Sequence, residues 1–157
     1  MQKLILLVCI LALLLPLTGI ASASTAQPGK FRIKGYTTSV DPSGFPVVGL
    51  QSAGKVIQHI QGTFTMDETL DYYQRTNSGT LNITTKKGDT LVIGFAGGTD
   101  GATVWGGFWV ISGTGAYANL TGGGTYEGIV DRCEFFYTPP YFTNCPGFWA
   151  DFTFDGR

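Results

Sequence analysis

Residues 56–72 read VIQHIQGTFTMDETLDY, and this stretch decides the fold. Apolar side chains occupy most of its even positions, whereas its odd positions are mostly polar. Successive side chains of an extended chain point to opposite faces, so a period of two is typical of a strand with one buried face. The stretch therefore predicts one long strand over residues 56–72.

The same alternation recurs in further parts of the chain, and turn residues separate the runs. The alternating stretches are 81–84, 91–95 and 148–155, and less regular β-rich sequence covers 103–112 and 123–136. The turn signals lie at 41–44, 77–79, 86–89, 99–101 and 139–140. About seven or eight strands joined by tight turns predict an antiparallel sandwich or barrel.

Glycines inside the predicted strands favour the barrel over the sandwich. Gly62, Gly94, Gly106 and Gly107 suit positions where a closed sheet bends or where backbones approach closely. We therefore predict an all-β fold, a closed antiparallel eight-stranded barrel. Its last strand, from Phe148, should pair with the first strand around residues 31–40.

The composition limits the class of protein and its partners. A chain of 157 residues and 16.8 kDa is the size of one domain. Only 13% of the residues are charged while 43% are hydrophobic, which argues against a disordered chain. The formal net charge of −1 gives no electrostatic reason to expect nucleic acid or an anionic membrane as a partner.

The first residues resemble an export signal. Lys3 precedes an apolar run from Leu4 to Leu15, and small residues follow around Ala23. This order is typical of a secretory signal peptide, and the run is shorter than the roughly 20 residues of a membrane-spanning helix. We expect residues 1–23 to be a signal peptide, residues 24–157 to form a single β-barrel domain, and the protein to be secreted or periplasmic.

Cleavage at that point would leave two cysteines, Cys133 and Cys145. In an oxidising compartment such a pair favours a disulfide, and a metal or redox pair would need CxxC spacing or a neighbouring histidine. We expect the disulfide, with no metal and no cofactor. The enclosed loop holds five aromatic residues and should be either a plug over one barrel mouth or a contact surface.

Residues 112–126, SGTGAYANLTGGGTY, resemble the strand–turn–strand signature of the allene oxide cyclase-like and dirigent-like barrels. The resemblance implies a calycin-like, eight-stranded antiparallel barrel that is often trimeric and holds a small hydrophobic molecule in its lumen. In plant members the lumen guides cyclisation of an oxylipin or coupling of phenolic radicals. No catalytic residue is transferred from the family, since no other motif aligns.

Glu68 is the main candidate for a catalytic residue. It occupies an even position among Phe64, Met66, Leu70 and Tyr72, so the pattern places a carboxyl on the apolar, lumen-facing side. A buried carboxylate is costly unless it is paired, which suits a general acid–base or a group that orients a ligand. The alternatives are that Glu68 turns outward or forms a structural ion pair with Arg132 or Arg75.

Aromatic and apolar neighbours are the candidate ligand-binding residues. We expect these to be Tyr72, Phe64, Met66, Trp105 and Trp109, with Tyr72 able to donate a hydrogen bond beside Glu68. The two tryptophans alternatively form an aromatic core or a subunit interface. The single histidine, His59, falls on the polar parity, which gives no support to a Ser–His–Asp triad or a histidine metal site.

Two functions of different classes fit these features. The first is a secreted barrel that binds a small hydrophobic or phenolic molecule in its lumen, as a dirigent-type guide or a cofactor-free cyclase or isomerase. The second is a non-catalytic secreted module that acts through its aromatic loop or an oligomer surface. An open apolar lumen containing Glu68 would favour the first, and a filled lumen the second.

Overall fold

The computed structural model describes residues 29–130, 134–135, 142–143 and 147–155. The strands are β1 (Lys30–Asp41), β2 (Val47–Gln58), β3 (Gly62–Asp71), β4 (Thr76–Thr85), β5 (Thr90–Thr99), β6 (Thr103–Gly113), β7 (Gly123–Ile129), β8 (Glu134–Phe135), β9 (Phe142–Thr143) and β10 (Phe148–Phe154). One 3₁₀ turn, Gly115–Tyr117, precedes β7. No helix in these parts of the chain has the length and apolar character needed to cross a membrane.

Eight of the strands form a closed antiparallel barrel in the order β1-β10-β7-β6-β5-β4-β3-β2. The last strand joins the two halves, because β10 pairs with β1 on one side and with β7 on the other. Phe152 lies opposite both Phe31 and Tyr126 in these registers. The predicted all-β, closed eight-stranded barrel is confirmed.

The prediction of a single strand over residues 56–72 is wrong. The chain turns after Gln58, and β2 and β3 form a hairpin in which Val56 pairs with Gly62. Both members of this pair have even numbers, so even residues face inward on both strands and the alternation continues through the turn. Ile60 also keeps the pattern because it is buried within the turn itself. Periodicity alone therefore could not separate this hairpin from one strand.

The turn predicted at residues 77–79 is also wrong. The chain turns at 72–75, and Asn77 and Gly79 lie inside β4. Gly79 is required there because a Cβ would come within 2.8 Å of the Phe95 ring. A glycine that signals a turn in sequence can equally give an aromatic ring room inside a barrel.

The two ends of the barrel differ in packing. At the end that carries the turns 59–61 and 86–89, which we call the closed end, aromatic side chains fill the lumen. The rings of Phe31 and Phe152 stack with centroids 4.9 Å apart, and Phe108 meets Phe154 edge-on at 4.9 Å. The opposite end carries the turns 42–46, 72–75 and 100–102, and we call it the open end.

Candidate functional site

A cavity of about 310 Å³ occupies the lumen towards the open end. Its walls are mainly apolar, with Ile33, Leu50, Met66, Leu70, Phe95 and Val104 among the lining residues. Val130 and Phe148 also line it, and they mark where the chain leaves the barrel after β7 and returns to it at β10. The cavity lies within the volume range of small-molecule sites, about 300–1,000 Å³.

A chain of three hydrogen-bonded side chains crosses this apolar lumen. Tyr126 on β7 donates its hydroxyl proton to Asn77 Oδ1 at 3.0 Å, and Asn77 Nδ2 donates to Glu68 Oε1 at 3.0 Å. Asn77 and Tyr126 are buried, while Glu68 borders the cavity. The barrel thus fixes one oxygen of the Glu68 carboxyl through residues on two other strands.

Burial shifts the pKa values of the ionisable side chains at this cavity. Loss of water around the carboxyl raises the pKa of Glu68, and the hydrogen bond from Asn77 opposes the rise. Burial likewise raises the pKa of Tyr126, and burial together with the charge of Glu68 raises that of Tyr72. A carboxyl with a raised pKa can exchange a proton with a ligand nearer to neutral pH than an exposed one.

The structure bears on one of the two structural ion pairs considered for Glu68. Glu68 makes no salt bridge with any described residue, Arg75 included. Arg132, the other partner considered, lies outside the described residues. Among the described residues, the Glu68 carboxyl accepts a hydrogen bond from the Asn77 amide, which itself accepts one from the Tyr126 hydroxyl. No cation among these residues pairs with it.

Sequence reasoning missed five polar residues that line the cavity: Thr37, Ser52, Asn77, Thr99 and Tyr126. Ser52 is 4% exposed, lines the cavity, and its hydroxyl has no hydrogen-bond partner among the described residues. It pairs with Met66 on β3, one inward position from Glu68. A buried hydroxyl without a partner is costly, which suggests that a ligand or water would satisfy it. Ser52 has an even number, as do the inward-facing residues of β2, and this parity could have identified it from the sequence.

The predicted ligand-binding residues separate into two groups. Met66 lines the cavity, and so does Tyr72, which lies in the turn after β3 with Phe45 at 6.0 Å between ring centroids. Phe64 faces inward but lies outside the cavity wall, where its ring meets that of Phe148 at 6.1 Å. The structure therefore brings Glu68, Met66 and Tyr72 together at one cavity.

Trp105 and Trp109 do not line the lumen. Each is 49% exposed on the outer face of β6, where Trp105 covers Gly98 and Trp109 covers Gly94 of the neighbouring strand. The two tryptophans do share one face of a strand, as predicted. That face is the outer one and not the lumen-facing one. Their rings shield backbone that glycine leaves bare.

The predicted disulfide and aromatic plug lie mostly outside the described residues. Cys133 and Cys145 are not among them, so the disulfide stays a prediction. Of the loop, the structure gives the pairing of β8 with β9, in which Glu134 lies opposite Thr143. Among the described residues no cluster of three or more metal-ligating side chains occurs.

We predict that replacing Glu68 with glutamine changes how stability depends on pH. Because the folded pKa of Glu68 is raised, its contribution is fully present below the unfolded pKa and is lost as pH rises through the folded pKa. Glu68→Gln removes this loss, so the variant should gain stability relative to wild type as pH rises. The gain should be about 1.4 kcal/mol for each unit between the two pKa values, measured by urea unfolding from about pH 4 to 8.

The control is Glu127→Gln, which neutralises an exposed carboxyl on β7. Asp151 acts with the opposite sign, because its hydrogen bond from Arg32 lowers its pKa, but it is present in all three proteins and cancels from the differences. A stability difference between Glu68→Gln and wild type that does not vary with pH would contradict the burial of an ionisable group at this position.

Comparison of the chain with models of known protein families, with curated proteins and with solved structures found no match.

Proposed function

We propose that the protein binds a small, mainly apolar molecule with one polar group in the open half of its lumen. The observation that carries this proposal is the apolar cavity crossed by the chain from Tyr126 through Asn77 to Glu68. The apolar walls favour a hydrophobic body, and the few fixed polar groups would orient it. Ser52 offers a second hydrogen-bonding position on the same wall.

The same arrangement suits cofactor-free chemistry on the bound molecule. A protonated Glu68 would donate a hydrogen bond to a ligand oxygen, and the ionised carboxylate would accept a proton from carbon or oxygen. Confinement in a narrow, mainly apolar cavity lowers the entropy cost of cyclisation or isomerisation. This role agrees with the resemblance to the allene oxide cyclase-like and dirigent-like barrels, which we retain as part of the proposal together with export of residues 24–157.

A non-catalytic interaction module is the second candidate. It is favoured by exposed apolar side chains on the outer face of β6 and β7, namely Trp105, Trp109, Ile111 and Ile129. Native mass spectrometry of the purified protein separates the two roles. A co-purified lipophilic compound supports lumen binding, whereas complexes without such a compound support the interaction module.

Paired probes test the polar contact directly. We expect wild type to bind 2-naphthol more tightly than naphthalene, because only the naphthol can hydrogen-bond to Glu68 or its partners. Glu68→Leu should weaken 2-naphthol binding about tenfold, the equivalent of one hydrogen bond, and leave naphthalene binding nearly unchanged. Fluorescence titration measures both affinities, with Glu127→Gln as the surface control.

Two outcomes would overturn the proposal. Failure of the wild-type protein to bind either probe would show that the cavity does not admit flat apolar molecules. The second is an equal loss of affinity for both probes in the Glu68→Leu protein, with folding unchanged by circular dichroism. This would show that residue 68 shapes the lumen without contacting the hydroxyl of the probe.

A further inference from the structure

The outer face of β1, β2 and β3 carries a groove of about 900 Å³. Phe148 borders both this groove and the lumen cavity. A second groove adjoins it along β2 and β3 and shares Lys55, Ile57, Thr63 and Thr84 with it. Lys34, Lys55 and Lys86 line the combined groove, and none of the described residues that line it is acidic. The surface is therefore locally basic although the whole chain has a net charge of −1.

Two of these lysines lie directly opposite each other. Lys34 on β1 pairs with Lys55 on β2, and neither forms a salt bridge with a described residue. Like charges in opposite positions of an antiparallel pair destabilise the sheet. The third, Lys86, donates to the neutral side chain of Gln61 at 2.9 Å, so its charge is also uncompensated. Among the described residues, no acidic side chain forms an ion pair with any of these three lysines.

A rigid aromatic side chain stands at one wall of the groove. Trp149 on β10 lies opposite Lys34, and the guanidinium of Arg32 sits 4.6 Å from the centre of its ring. Asp151 in turn accepts two hydrogen bonds from Arg32, at 2.6 and 2.8 Å. This chain of contacts orients the indole before any ligand arrives. Tyr36, which is 58% exposed, adds a second ring beside it.

The remaining wall presents neutral hydrogen-bonding groups in two cross-strand rows. Thr63 pairs with Thr84, and Thr65 pairs with Asn82, on β3 and β4. All four side chains line the groove. Hydroxyl and amide groups can form hydrogen bonds with the hydroxyls of a sugar, while the aromatic rings offer faces for its C–H groups.

We propose that this outer groove binds a linear acidic polysaccharide, with Lys34, Lys55 and Lys86 meeting successive anionic groups and Trp149 and Tyr36 packing against sugar rings. The groove runs past three lysines, which fits a chain with repeated charges better than a single anion. A nucleic acid is the less suitable polyanion, because the neutral threonine and asparagine rows would face phosphates instead of hydroxyls. The site does not depend on the function proposed for the lumen.

Oligomers of polygalacturonate provide the test, with chondroitin sulfate oligomers to distinguish a sulfate from a carboxylate as the anionic group. Asn82 begins the N-glycosylation sequon Asn82-Ile83-Thr84. The protein is therefore produced in bacteria so that Asn82 carries no glycan, and binding is measured by calorimetry. We expect wild type to bind at least one of the two acidic glycans and not the methyl-esterified polygalacturonate. Lys34→Gln with Lys55→Gln should weaken binding at least about tenfold, and Tyr36→Ala should weaken it about threefold.

Matched variants distinguish specific binding in the groove from general attraction between charges. Arg75→Gln with Lys87→Gln removes the same charge from residues outside both grooves and should weaken binding far less. Lys55→Glu should abolish binding without lowering the melting temperature, because it replaces a repulsive cross-strand pair with an attractive one. Glu68→Leu should leave glycan binding unchanged.

Several results would overturn the proposal. Equal affinity for the methyl-esterified polymer would remove the role of the lysines. Equally tight binding of single-stranded DNA would show charge attraction without recognition of a sugar. Equal weakening by the groove pair and the control pair would show that the anion binds elsewhere, and absence of binding to both acidic glycans would reject the site.

Discussion

Deleting residues 148–157 yields a chain that does not form the native barrel. The deletion removes β10, which lies between β1 and β7 in the barrel and hydrogen-bonds to both. Two unpaired edges would replace a closed sheet, and Phe152 and Phe154 would be lost from the core. We expect loss of the near-UV circular dichroism signal and of the cooperative unfolding transition, with aggregation seen by size-exclusion chromatography.

Complementation provides the control for this deletion. A synthetic peptide of residues 148–157, added during refolding, should restore part of the near-UV signal because it carries the missing strand and its core side chains. A shorter deletion of residues 156–157 leaves β10 intact and should unfold like the full chain. The argument would be wrong if the chain ending at residue 147 unfolded cooperatively with the stability of the full chain, since β10 would then not be needed for closure.

The sequence identified the inward face of most strands but not which strands meet. Period two alone placed Glu68 on one face with Met66 and Leu70, and all three residues line the cavity. Asn77 and Tyr126 could not be assigned to the same site, because the contact between them spans 49 residues and depends on the order of strands around the barrel. Alternation contains no information on that order.

Sequence-based predictions were also wrong where one type of residue can have two different structural roles. The glycine-containing segment at 77–79 predicted a turn, although Gly79 accommodates the Phe95 ring inside β4. The tryptophans of β6 suggested a lumen wall, although they cover Gly94 and Gly98 from outside. Net charge hid the basic groove for a similar reason, since it sums over the chain and does not report where the charges lie. In each case the missing information was the cross-strand neighbour.

Phe152→Ala should have the largest effect of any single substitution considered for this barrel. Phe152 is 2% exposed and contacts three rings: Phe31 at 4.9 Å, Phe108 at 5.4 Å and Tyr126 at 5.5 Å between centroids. Removing the phenyl group loses its burial and leaves a cavity that these neighbours cannot fully close. We expect a loss of about 3–5 kcal/mol in the free energy of unfolding, measured by urea denaturation.

A surface aromatic gives the matched comparison. Tyr73 is 76% exposed and meets Phe45 at 6.1 Å, so Tyr73→Ala should change stability by no more than about 0.5 kcal/mol. If the two substitutions cost the same, the closed end of the barrel would not be the packed core that the ring contacts indicate.

The space left by Phe152→Ala also tests how the core relates to the ligand cavity. Phe152 lines the floor of that cavity, so its removal should extend the lumen towards the closed end. Benzene should then bind the variant and restore part of the lost stability, because a ligand that binds only the folded state shifts the equilibrium towards it. Wild type, where the phenyl group fills the space, should gain less from the same benzene concentration. If benzene stabilised both proteins equally, the core around residue 152 would have collapsed on truncation, and the boundary between packed core and open lumen would lie elsewhere.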